Sequence, residues 1–176
     1  MRRPSLSGRR PIRHSPAPQF AFPGKSVNMT SISFTTSPIA DGENAETTRS
    51  FRPAFGPDGL IPAIVTDVAT GDVLMFAHMN EEALGQTIAS GLATFWSRSR
   101  GKLWKKGEES GNLLKVIEIR TDCDQDVIWV TAEIQGDGVA CHTGERSCFY
   151  RRVVQPADGG APVLEPAPLA QTKRAV

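Results

Sequence analysis

The chain has 176 residues, 39% hydrophobic and 22% charged, a length and composition that suit about one globular domain. Twenty basic residues against nineteen acidic ones leave a net charge of +1, which excludes a strongly basic nucleic-acid binder and a highly acidic disordered chain. No apolar run approaches the roughly 18 residues of a membrane span, and three cysteines argue against a disulfide-stapled secreted domain and for the reducing cytoplasm.

The charge is unevenly spread. Residues 1–50 carry seven basic and three acidic groups, in a stretch rich in Pro, Ser and Thr with little apolar periodicity. Residues 51–152 carry eleven basic and fourteen acidic groups, and the tail from Val153 has two of each. Both ends read as disordered, which leaves a folding unit of about 100 residues whose thin core benefits from a metal or a partner subunit. The basic N-terminal stretch has the composition of an organelle transit segment, of an ordinary disordered tail, or of a reading frame that starts upstream of a true start at Met29.

Within 51–152 the elements follow in order. Ile61–Asp67 is apolar and β-branched, and Thr70-Gly71-Asp72 turns it into a second strand over Val73–Ala77. Asn80 caps a helix of about ten residues, with Glu81 and Glu82 at its positive end, Leu84, Thr87 and Ile88 on one face, and Gly91 closing it. Leu92–Trp96 reads as a strand, Ser97–Asn112 as a polar loop, and Leu113–Ile119 and Val127–Ile134 as two further strands before a turn at Gly136-Asp137-Gly138. Short strands with one helix predict a mainly β or α+β domain, a small barrel-like β core rather than a βαβ array.

Three groups of residues carry chemistry. In Asp122-Cys123-Asp124-Gln125-Asp126 an extended strand would turn the carboxylates one way and the thiol the other, although a flat strand puts Asp122 and Asp126 roughly 13 Å apart and a bend is expected. Three close carboxylates repel unless a cation neutralises them, and Mg²⁺ or Ca²⁺ prefers such oxygens. An EF-hand fails because its sixth position would be Val127 where Gly is required. Cys123, Cys141 and Cys148 are either small core residues or three thiolates that hold zinc and leave a fourth position for water, with His142 beside Cys141 as base or proton shuttle. Ser97-Arg98-Ser99-Arg100, followed by Lys106, Glu108, Ser110 and Asn112, is either a solvated turn or a loop for a phosphorylated substrate, since Arg forks onto phosphate oxygens; it is not a P-loop.

Together, Met79-Asn80-Glu81-Glu82-Ala83-Leu84, Phe95-Trp96-Ser97-Arg98-Ser99-Arg100, Lys106-Gly107-Glu108, Ser110-Gly111-Asn112, the Asp122–Asp126 run and Cys141-His142-Thr143-Gly144 through Ser147-Cys148-Phe149 resemble the phosphoribosyl-AMP cyclohydrolase family over residues 51–152. The resemblance implies an obligately homodimeric enzyme of histidine biosynthesis in which zinc-bound hydroxide opens the N1–C6 bond of the adenine ring of 1-(5-phosphoribosyl)-AMP. It implies zinc, one per subunit, on Cys123, Cys141 and Cys148, with Cys123 supplied by the opposite subunit, and magnesium on Asp122, Asp124 and Asp126. No nucleic-acid or membrane partner is implied. His78 departs from the family pattern, which has an aromatic residue there. Two rivals compete: a metal-stabilised binding module whose zinc is purely structural, and a magnesium phosphohydrolase built on the Asp cluster alone.

Overall fold

The computed structural model describes Phe34, residues 43–167 and Leu169. The question of where translation starts, and the transit-segment reading, lie outside those residues.

Strands β1 (Ile61–Asp67) and β2 (Val73–Met79) form the expected hairpin. Asp67 closes its turn, receiving the Ala69 N–H on Oδ1 at 2.7 Å and the Gly71 N–H on its carbonyl at 2.8 Å. Helix α1 (Glu81–Ser90) starts where Asn80 accepts the Ala83 N–H at 2.8 Å and ends at Gly91, whose φ of 69° lets its N–H reach back to Thr87. Thr87 is fully buried; its hydroxyl donates to Ala83 at 2.8 Å and accepts the Thr94 N–H at 3.0 Å, which docks α1 on the next strand.

The stretch Ser97–Asn112 is not all loop. Strand β3 (Thr94–Ser97) pairs antiparallel with β4 (Lys102–Lys105), so Leu103 and Trp104 sit in a sheet opposite Trp96 and Phe95. Four residues with lysine at both ends carry too little alternation to read as a strand; the pairing with β3 supplies it. Strands β5 (Leu114–Thr121) and β6 (Ile128–Ile134) form a second hairpin around the acidic run.

The six strands order as β4-β3-β2-β1-β6-β5, antiparallel throughout except that β1 and β6 run parallel, from Ala63 opposite Ile128 to Asp67 opposite Ala132. The sheet curls into a half-barrel. Its far edge turns back on the segment before β3: Leu92 bridges Lys115, and the Val116 N–H bonds Gly91 at 2.8 Å. The concave side holds the core, with Ile61, Val65, Leu74, Met79, Leu84, Phe95, Leu114, Val116, Ile128 and Val130 fully or almost fully buried. The class is therefore mainly β with one helix. Among the described residues no helix is long and apolar enough to cross a membrane.

Structure is present on both sides of residues 51–152. The tail read as disordered from Val153 carries a hairpin of β7 (Arg151–Val154) and β8 (Val163–Pro166), turned at Asp158-Gly159-Gly160 and crossed by an Arg152–Glu165 ion pair of 2.9 Å. Its apolar side chains remain open to water, Val153 at 72%, so backbone pairing rather than burial holds it. Within the stretch read as disordered up to residue 50, residues 44–48 form a turn closed by Asn44 and Thr47, and Phe34 packs edge-on against Phe51 at 5.5 Å.

After β6 the chain loops back to the end of β1. Arg146 hydrogen-bonds and ion-pairs with the buried Asp67 carboxylate, and the buried Ser147 hydroxyl donates to Val73 at 2.6 Å. His78 lies opposite Trp96, edge-on to Phe76 at 5.1 Å. Burial, helped by the Arg98 guanidinium and opposed by Asp58, lowers its pKa below 6.5.

Asp67→Asn keeps the turn acceptor but leaves Arg146 facing a neutral group; a loss of about 2 kcal/mol is expected in urea unfolding, moderated because Arg146 reaches water. His78 generates a pH effect. Above pH 6.5 the imidazole is neutral in both folded and unfolded chains; below it the unfolded chain takes the proton first, so stability falls with pH. In His78→Phe the drop in unfolding midpoint between about pH 7.5 and about pH 5.5 should shrink; equal drops in both proteins would refute this origin.

Candidate active site

The acidic run is a turn, not the extended strand considered from alternation. Asp122 Oδ1 receives the N–H groups of Asp126 and Val127, both at 3.1 Å, and the Thr121 hydroxyl donates to Val127 at 3.0 Å. Gln125 takes a φ of 62° at the bend. The expected bend is thus present, and it brings oxygens of Asp122, Asp124 and Asp126 within 4.8 Å of one another, all exposed. Asp122 pays some desolvation by burial, but the Val127 N–H and the contact with Asp126 outweigh it and hold its pKa below the usual value. Asp126 is raised, first by the hydrogen bond with Asp122 and then by the Asp124 charge. An all-carboxylate cluster of this size fits a hard divalent cation and offers nothing to a soft one. The alternation picture of thiol opposite carboxylates does not survive: Cys123 Sγ lies 3.9 Å from Asp124 Oδ1.

Cys141 and Cys148 meet at the other end of the β1–β6 pair. The loop that carries them folds on itself through Ala140 N–H to Arg146 at 3.2 Å and Cys141 N–H to Glu145 at 2.9 Å, and the Cys148 N–H bonds Leu74 at 2.8 Å. Cys141 is buried and Cys148 exposed. Burial pushes the Cys141 thiol up, but the Thr143 hydroxyl at 3.0 Å, the Thr143 and His142 N–H groups and Cys148 more than reverse it, leaving its pKa below the ordinary value. Partial burial, and then the charge of Cys141, push Cys148 up to about 11, opposed by Lys106. Two neighbouring thiols, one of them with a lowered pKa, suit capture of a soft metal ion, whose charge would favour their deprotonation. His142 Nδ1 stands 4.0 Å from Cys141 Sγ. Cys123 does not join them: among the described residues the Asp cluster is the one place where three His, Cys, Asp or Glu ligand atoms gather.

Cys141, His142 and Cys148 line a cleft of about 730 Å³ together with Arg100, Lys106, Glu108, Ser110 and Asn112. Ser97, Arg98 and Ser99 are not in that lining. Ser97 instead closes the β3–β4 turn, its hydroxyl accepting from the Arg100 N–H at 3.3 Å and Arg100 Nε at 3.2 Å. Asn112 is buried, and its Oδ1 accepts the Asp137 N–H at 2.7 Å, tying two residues of the cleft lining together. The glycine of Lys106-Gly107-Glu108 follows from that packing: its φ is +81°, and a Cβ there would lie 2.1 Å from the Asn112 carbonyl.

Four residues of the site were not singled out in the sequence. Thr143 donates to Cys141, Arg146 and Ser147 anchor the thiol loop, and Gln125 bends the acidic turn. Only Thr143, two residues from a cysteine, left a signal that a search for thiol donors could have used.

The sequence profile of the phosphoribosyl-AMP cyclohydrolase family matches residues 75–150. A curated phosphoribosyl-AMP cyclohydrolase of Brucella anthropi is 57% identical over 123 residues, 70% of this chain and 87% of the relative. Those of Brucella canis and Brucella abortus are 56% identical over 125 residues and 60% identical over 112, covering 88% and 92% of the relatives. With such identity across most of each relative's length, the chain belongs to the phosphoribosyl-AMP cyclohydrolase family of enzymes.

Proposed function

We propose that the enzyme opens the adenine ring of 1-(5-phosphoribosyl)-AMP by hydrolysis of the N1–C6 bond, a step of histidine biosynthesis in the cytoplasm, using zinc on Cys123, Cys141 and Cys148 and magnesium on Asp122, Asp124 and Asp126. The observation that carries it is the convergence of two thiols and an imidazole in one cleft that Arg100, Lys102, Lys105 and Lys106 also line. A zinc ion held by these cysteines would activate water as a nucleophile at neutral pH.

The side chains divide the remaining work. Arg100 and Lys106 hold the phosphoribosyl phosphates, Arg100 as a fork and Lys106 as a point charge. Ser110 and Glu108 hydrogen-bond polar edges of the substrate. His142 takes a proton from the attacking oxygen and returns it to N1 as the C6–N1 bond breaks. Ser97, Arg98 and Ser99 shape the turn that presents Arg100 rather than touch substrate. Brought to the cleft together with Cys123 across the dimer, the Asp turn would hold a divalent cation for the phosphates.

The working unit is a homodimer with shared zinc sites. Support comes from distance within one chain. The turn with Cys123 precedes β6 and the loop with Cys141 and Cys148 follows it, and β6 alone, at seven residues, spans about 20 Å. Further support is an exposed apolar row across three strands, Phe76 opposite Ile64 and Ile64 opposite Trp129, extended by Val73 and by Phe149 next to Cys148. A row of this kind fits a second copy of the chain.

Two experiments test this reading. Cys148→Ser should lower zinc from about one ion per chain to none and remove ring opening with it; full turnover without zinc would end the zinc reading. Mixing inactive Cys123→Ser and Cys141→Ser chains should restore about a quarter of native activity, because half the dimers are mixed and each mixed dimer has one intact site. No recovery after verified subunit exchange would refute the shared site.

A further inference from the structure

We propose that Gln125 is a positioning residue: it clamps the segment 45–54 to the acidic turn and thereby sets the spacing of the Asp122, Asp124 and Asp126 carboxylates. The inference rests on reading that turn as the magnesium site.

Gln125 is the odd member of its turn. Asp122, Cys123, Asp124 and Asp126 are exposed, whereas Gln125 is only 5% exposed. It is also the one non-glycine among the described residues with positive φ, at 62°. A left-handed glutamine is held there only if its surroundings demand it. They do so through four hydrogen bonds to a distant part of the chain. Its Oε1 accepts the Arg52 N–H at 2.7 Å, its carbonyl accepts the Ala54 N–H at 2.7 Å, and its Nε2 donates to Ala45 and Ser50 at 3.3 and 3.4 Å. The side-chain amide is thus used at both its oxygen and its nitrogen.

The clamp opposes a real force. Three carboxylates whose oxygens lie within 4.8 Å of one another repel, and before a cation arrives that repulsion tends to spread the turn. Asp122 ties the turn from inside through the Asp126 and Val127 N–H groups. Gln125 ties it from outside, between Asp124 and Asp126, so the two peptide planes that carry those residues are set by the clamp. The far side of the strap is anchored in turn, since Phe51 and Phe55 pack on Phe34, whose N–H bonds the Glu81 carboxylate at 3.2 Å. Residues 45–54 lie outside the 75–150 span of the family profile.

Two variants isolate the clamp. Gln125→Asn keeps an amide and tolerates the left-handed backbone but is one methylene too short; Gln125→Gly relieves the backbone and removes the amide. Hydrogen exchange on the full chain before magnesium is added should become faster in both variants across 122–127 and 45–54. Magnesium titration by calorimetry should show affinity weakened about ten-fold. The magnesium concentration for half-maximal turnover should rise by the same factor, while kcat at saturating magnesium and the zinc content stay native. A merely structural role would instead lower activity at every magnesium concentration. Unaltered exchange across 122–127 overturns the proposal. If the native enzyme takes up no magnesium, the magnesium reading falls by itself and the exchange comparison still decides whether the clamp exists.

Discussion

The parallel pairing of β1 with β6 is the constraint from which the rest of the molecule follows. Every other strand contact is antiparallel, and antiparallel neighbours return the chain to the end it left. The β1–β6 contact does the reverse. It sends the acidic turn to the end where β1 begins, and the thiol loop to the end where β1 finishes at Asp67. Each end is then closed by its own polar fastening: Gln125 gripping the segment 45–54 at one, Arg146 on Asp67 with Ser147 on Val73 at the other. Two chemically different groups of side chains, hard oxygens and soft sulfurs, are thereby held apart along the same pair of strands.

That separation limits what sequence spacing could reveal. The β1–β2 hairpin, the Asn80 cap, the Gly91 stop and the presence of strands β5 and β6 were legible because each depends on residues a few positions apart. Strand β4 was not, because Lys102-Leu103-Trp104-Lys105 acquires its meaning from Phe95 and Trp96 across the ladder. Nor was the β7–β8 hairpin, whose turn residues were visible but whose exposed side chains gave no hydrophobic alternation. The parallel contact lay further out of reach, since nothing local marks which two strands run side by side.

The site divides along the same line. The chemically distinctive residues were readable as types: thiols, carboxylates, an imidazole and a basic loop. Their supports were not. Arg146 and Asp67 are 79 positions apart, and the Gln125–Arg52 bond spans 73. Ser97 shows why a polar run is hard to read from spacing, since its hydroxyl takes two bonds from Arg100 in the turn that precedes the cleft. Asn112 does both, facing the cleft while its carbonyl oxygen holds Asp137.

In the proposed dimer these separations become the working principle. A two-fold axis reverses the direction of one chain relative to the other, so it is the operation that can bring the starting end of one β6 beside the finishing end of its partner. Within one chain the thiol of Cys123 is remote from Cys141 and Cys148; across such an axis the same parallel pairing that separates them would make them neighbours. The apolar row Phe76-Ile64-Trp129 lies on the convex side of β2, β1 and β6, the strands whose ends carry both ligand sets. Burying that row would set the alignment of the two half-sites, so association and metal capture reinforce each other. A core of about 100 residues gains in this way the stabilisation its own thin interior supplies only sparingly.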